Sequence, residues 1–100
     1  MCSSDLSFDA PTAQSLGLVN WVVPAAQLAA ETARIAQRLA SGPTFTYGET
    51  KALLSQAFES SLETQLEAET QAFARCAATE DLREGVTAFV EKRKPVFRGR

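Results

Sequence analysis

Four amphipathic helix patterns in succession, each with its own stop or start signal, constrain this chain more than any other feature. Apolar residues recur three and four positions apart, the spacing that places them on one helix face. The first pattern runs from about Pro24 to Ala40. Leu28, Ile35 and Leu39 form its stripe with Ala25, Ala29 and Ala36, and Gly42-Pro43 ends it. The second spans roughly Thr44 to Phe58, with Tyr47, Leu54 and Phe58 on one side and Gly48 weakening its first turn. The third opens on Ser60 and Glu63, a Ser-x-x-Glu capping box. Leu62, Leu66, Phe73 and Cys76 or Ala77 follow at helical steps, and Glu63, Glu67, Gln71 and Arg75 make a wet face. The fourth starts from a Thr79 cap, with Glu80 and Asp81 in its first turn, where the helix dipole favours anions. Leu82, Val86, Phe89 and Val90 are its stripe; Lys92, Arg93 and Lys94 sit near its C-terminus, and Pro95 ends it. A shorter helix, from about Ala10 to Leu16, precedes these, with Asp9 as cap, Pro11 in the first turn and Gly17 past the end.

One run breaks the period. Leu18-Val19-Asn20-Trp21-Val22-Val23 is β-rich, too short for a helix, and closed by Pro24. It reads as a strand or an extended link that packs against something, with Trp21 at a subunit or domain contact. A lone strand leaves ladder groups unpaired, so the run implies a sheet lying upstream. The expected fold class is mainly α: about four main helices, one short helix and one short extended segment.

The first residues follow no pattern. Cys2-Ser3-Ser4-Asp5-Leu6 is what the end of a widely used sequencing-library adapter encodes. Residues 1–7 are therefore expected to be a non-native or disordered start, with the natural chain beginning far upstream.

An apolar content of 45% suits a globular segment rather than a disordered one. No apolar run reaches the roughly 18–20 residues that span a bilayer, and no secretory signal pattern opens the chain. Neither a membrane nor an exported protein is expected. There is no His, and Cys2 and Cys76 have no metal-ligand spacing, so metal residues are expected to be none and a reducing compartment is expected. Cys76 lies on an apolar stripe and reads as a structural thiol. The chain holds no nucleophile elbow, phosphate loop or dinucleotide fingerprint, and catalytic residues are expected to be none. Glu63, Glu67 and Glu69 read as a solvated face. Tyr47 and Lys51, one turn apart, read as core and surface.

Charge is divided unevenly. Residues 1–91 hold all twelve acids against five bases, whereas residues 92–100 hold Lys92, Arg93, Lys94, Arg98 and Arg100 and no acid. Phe89 and Lys92 are three apart, a spacing that shares a helix face. A ring beside an ammonium group can stack on a nucleobase and meet its phosphates. The alternative is a core Phe beside a solubilising basic end. The acidic body and a pI near 5.1 argue against a nucleic acid partner.

Longer motifs add a resemblance. F-D-A-P-T-A-Q-S-L-G-L-V-N-W-V-V-P (Phe8–Pro24) resembles the segment that follows the catalytic core in the enoyl-CoA hydratase/isomerase, or crotonase, family. In order come A-x-x-L-A-x-G-P-T (Ala36–Thr44), T-K-A-L-L (Thr50–Leu54), S-L-E-x-x-L-E-x-E (Ser61–Glu69), F-x-x-C-x-x-T-E-D (Phe73–Asp81) and E-G-V-x-A-F-V-E-K-R-K-P-x-F (Glu84–Phe97). The resemblance covers about residues 8–100. Trp21 departs from it, standing where Arg or Lys is usual.

The resemblance implies a C-terminal fragment of a crotonase-type α/β spiral fold. Residues 8–24 would end the core, and residues 25–100 would form the C-terminal helical region that builds the trimer and closes the CoA site. It implies an acyl-CoA thioester as substrate, no covalently bound cofactor, a homotrimer or dimer of trimers, and a cytoplasmic enzyme. The chemistry implied is an enolate held by two backbone N–H groups while carboxylates move protons, from segments upstream of this chain. By motif position, Phe89 and Lys92 would approach the adenine and phosphates of a coenzyme A bound mainly by a neighbouring subunit. G-P-T and S-L-E-x-x-L-E-x-E also resemble isomerase-like members tied to phenylacetate-type degradation. The rival readings are a stand-alone helical interaction module with a basic C-terminal tail, and a nucleic-acid-binding helical domain.

Overall fold

The computed structural model describes residues 7–100, so the expectation for the first six residues lies outside it. Contacts divide the chain into two compact units, Met1–Arg34 and Ile35–Arg100.

In the first unit, α1 (Ala10–Ser15) forms as its caps dictate. The Asp9 carboxylate accepts the Thr12 N–H at 2.9 Å. At the other end Gly17 takes a left-handed turn, φ 73°, and the N–H groups of Gly17 and Leu18 return to the carbonyls of Gln14 and Ala13. This is the paired closure that glycine makes without a Cβ penalty. The Leu18–Val23 run that follows is an irregular link with bends at Leu18 and Asn20, not a strand. Among the described residues there is no strand to pair it, and Trp21 stands exposed.

A single 3-10 turn, Ala25–Gln27, takes the place of the first helical turn expected after Pro24. Then α2 (Leu28–Ala40) runs to the Gly42-Pro43 stop. Gly42 is buried because the Tyr47 hydroxyl and ring lie where its Cβ would be. The glycine therefore ends one helix and also seats the first turn of the next.

In the second unit, α3 (Thr44–Gln56) packs on α4 (Leu62–Ala77), and α4 packs on α5 (Glu80–Val90). Ala72 is buried on α4, where its small side chain allows close approach. A two-pronged ion pair ties α4 to α3: Arg75 Nε and Nη2 donate to the two Glu49 oxygens at 2.9 and 2.6 Å. Arg75 thus belongs to a helix contact rather than to the wet face read from periodicity. The cap of α4 also differs by one residue. Ser61, not Ser60, accepts the Thr64 N–H, because the Ser60 hydroxyl is engaged in closing the previous turn on the Gln56 carbonyl.

The stripes of α2, α4 and α5 lie on helices, but they are open; the stripe expected over Thr44–Phe58 is not formed, because α3 ends at Gln56 and leaves Phe58 beyond it. Among the described residues only Gly42, Ala72, Asp81 and Ala88 are buried. Leu28, Leu54, Leu66, Phe73 and Val86 are exposed, and Phe58, just beyond α3, is 98% exposed.

Candidate functional site

The site is the C-terminal half of α5 and the segment that follows it. Thr79 caps the helix by accepting the Leu82 N–H at 3.2 Å. Asp81 in the first turn is only 4% exposed. Its two carboxylate oxygens accept the N–H groups of Arg98 and Gly99 at 2.7 and 2.8 Å, and its own N–H donates to the Arg100 carbonyl. Further along, Glu84 accepts the Val96 N–H at 2.8 Å. Rising numbers on the helix thus meet falling numbers on the tail, so residues 93–100 fold back along α5. Phe97 lies over Gly85, its ring within ordinary contact distance of where a Cβ would stand.

The reversal happens at Lys92. The helix ends at Val90, with Glu91 as its C-cap. Lys92 donates to the Phe89 carbonyl and Arg93 to the Ala88 carbonyl, the closure that Gly17 and Leu18 make after α1. Here the left-handed position holds lysine, φ 54°. This corrects the expectation that Lys92 shares a helix face with Phe89: Lys92 is the first residue of the turn, joined to Phe89 through the backbone. Pro95 lies beyond the stop and does not make it.

The basic cluster is not uniformly free. Arg93 holds Glu84 with both terminal nitrogens, at 2.6 and 2.9 Å, and Glu91 through Nε at 2.6 Å. Arg100 reaches Glu80 at 3.2 Å. The Arg93 guanidinium, helped by the Val96 N–H, holds the Glu84 carboxyl down at about 2, and the two carboxylates raise the Arg93 pKa in turn. Among the described residues Lys92, Lys94 and Arg98 enter no ion pair.

Phe89 is 85% exposed. It lines an open apolar groove of about 440 Å³ with Phe73, Leu82, Val86 and Phe97, and Cys76, half-buried, sits at its edge. The exposed Phe89 ring and Lys92, which enters no ion pair among the described residues, stand three residues apart at one helix end. Among the described residues no cluster of three or more His, Cys, Asp or Glu is placed to hold a metal. Periodicity did not reveal Asp81, Glu84 and Arg93 as partners. Glu84 and Arg93 are nine apart, a spacing that means nothing until the chain reverses.

A family model for enoyl-CoA hydratase/isomerase matches residues 1–100. The chain belongs to the enoyl-CoA hydratase/isomerase family. It is 37% identical over 89 residues to the crotonyl-CoA hydratase of Syntrophomonas wolfei, covering 89% of this chain and 34% of that protein. It is 36% identical over 91 residues to the 1,2-epoxyphenylacetyl-CoA isomerase of Escherichia coli, covering 91% of this chain and 35% of that one. A crystal structure from Mycobacterium abscessus, described as an enoyl-CoA hydratase/isomerase, superposes with a TM-score of 0.90 at 43% identity. It covers 93% of this chain and 36% of that one. The chain therefore spans about a third of the length of the family members it matches, and that third is helical. Hydratases and an isomerase match it at similar identity, so likeness over this region does not select between the two reactions.

Proposed function

We propose that the chain is the C-terminal helical region of an enoyl-CoA hydratase/isomerase, and that it presents Phe89 and Lys92 to the coenzyme A of an acyl-CoA thioester. The observation that carries this reading is an exposed Phe89 ring and, three residues on at the same helix end, a Lys92 that enters no ion pair among the described residues. The ring suits the adenine face, and the ammonium suits the phosphates. The matched relatives support the substrate class, since their names are those of enzymes acting on CoA thioesters. In this reading the reaction passes through a thioester enolate. The groups that hold the oxyanion and move protons lie outside these hundred residues, so the chain alone is inactive. The open apolar stripes are the faces that the family's core and sister subunits cover, in a trimer or dimer of trimers. The assembled enzyme is cytoplasmic, with no covalently bound cofactor. A stand-alone module with a freely basic tail is the weaker reading, because Arg93 and Arg100 are already paired within the chain.

Two assays test it. The purified chain should give no turnover of a crotonyl-CoA substrate above buffer. The chain should then be grafted in place of the matching third of an active relative. There Phe89→Ala and Lys92→Ala should each raise KM roughly three- to tenfold while kcat stays within about twofold. Unchanged KM in both variants would remove the CoA assignment.

A further inference from the structure

Among the described residues, Lys92 alone adopts a left-handed backbone without being glycine. An L-residue held there is strained, and such a residue persists where its surroundings over-determine it. The chain makes the same closure after α1 with Gly17, where no such support is needed.

What supports Lys92 lies on both sides of it. Arg93 reaches back across it to Glu91, 2.6 Å from Nε to Oε2. The same guanidinium is gripped by Glu84, at 2.6 and 2.9 Å, from a fixed position on α5. Glu84 also takes the Val96 N–H. The residues before and after Lys92 are thus tied to each other and to the helix, while Lys92 enters no ion pair among the described residues. A clasp serving stability alone would close as well around glycine. Lysine at this strained position adds a cation at the point where the chain turns.

We propose that Glu84, acting through Arg93, is a positioning residue: it holds the left-handed turn at Lys92 and so fixes where the ammonium stands relative to the Phe89 ring. The link to ligand binding rests on the coenzyme A reading above. The clasp itself stands on geometry alone.

Amide hydrogen exchange on the isotope-labelled chain tests the clasp. The Arg93 N–H, bonded to the Ala88 carbonyl, is the reporter, and amides in the middle of α4 are the control for global unfolding. Glu84→Gln should speed Arg93 exchange roughly tenfold relative to the α4 control. With Lys92→Gly in the background, the same change should speed it only about twofold, because glycine needs no support in this conformation. Equal acceleration in both backgrounds overturns the proposal, since a clasp that merely stabilises would not sense residue 92. So does an Arg93 amide that is unprotected in the unaltered chain while the α4 amides are protected. A second readout uses the grafted enzyme described above, in which the neighbouring subunit is present, with adenosine 3′,5′-bisphosphate as the inhibitor. E84Q should weaken its inhibition roughly threefold or more. Equal inhibition in both counts against positioning. No inhibition of the unaltered graft overturns the coenzyme A reading and leaves the clasp to be decided by exchange.

Discussion

A methyl group added at Gly99 would run into the Thr44 hydroxyl, and the backbone there is left-handed, φ 75°. Gly99→Ala should therefore cost roughly 1–2 kcal/mol, measured by urea denaturation. Gly85 makes the matched comparison. It lies inside α5, and a Cβ there would meet the Phe97 ring at an ordinary 3.6 Å. Gly85→Ala should leave stability unchanged or raise it by up to about 1 kcal/mol, because alanine is the better helix former. The sequence shows two glycines near the same end of the chain and does not rank them. Only the neighbours brought in by the folded-back tail separate them. Lys92 is the same lesson with charge: its residue type was legible as a candidate phosphate contact, and its backbone conformation was not.

At the scale of elements, local chemistry foretold most of the α-helices. Asp9, Thr79 and the Gly42-Pro43 stop act where their residue types say they should. The departures have local competition as their cause. Ser60 lost the cap to Ser61 because it had a nearer carbonyl to bond. The α5 helix stops at Val90, where the Lys92 and Arg93 N–H groups turn back to the Phe89 and Ala88 carbonyls before Pro95 is reached, and the Arg93 pairs with Glu84 and Glu91 clasp that closure. That closure predicts a pH response. The ordinary Glu value is 4.5, and in the folded chain the Glu84 carboxyl is held near 2, first by Arg93 and then by the Val96 N–H. A depressed carboxylate contributes its full stabilisation above the unfolded value and loses it as pH falls through the folded one. The Arg93 and Val96 amides should stay protected down to about pH 4.5, then lose protection progressively towards pH 2. Protection that drops instead between pH 5 and 7 would show that another group governs the clasp. Asp81 works beside it. Asp81→Asn replaces one accepting oxygen with a donor facing a backbone N–H, and should cost roughly 1–3 kcal/mol in urea denaturation.

Across the whole molecule, apolar side chains outnumber the places that hide them. Phe58, Phe73, Val86 and Phe89 are exposed, and the buried residues among those described are small or, in Asp81, polar. Exposed apolar patches of this extent mark surfaces made for a partner. The isolated chain should therefore bind a hydrophobic dye and self-associate as its concentration rises, seen by fluorescence and sedimentation. A dye-silent monomer would show that the stripes close on themselves in solution. The sequence by itself determined the helical class, the order of elements and the family, because caps, stops, period and ordered motifs act over a few residues. It also offered Phe89 and Lys92 as candidates for a ligand contact. The tertiary structure alone decided that the tail folds back on α5, that Arg93 and Arg100 are spent on internal carboxylates, and that Lys92 leaves the helix in a strained turn. The ion pairs of Arg93 with Glu84 and of Arg100 with Glu80 join residues nine and twenty positions apart, through contacts that no local spacing rule encodes.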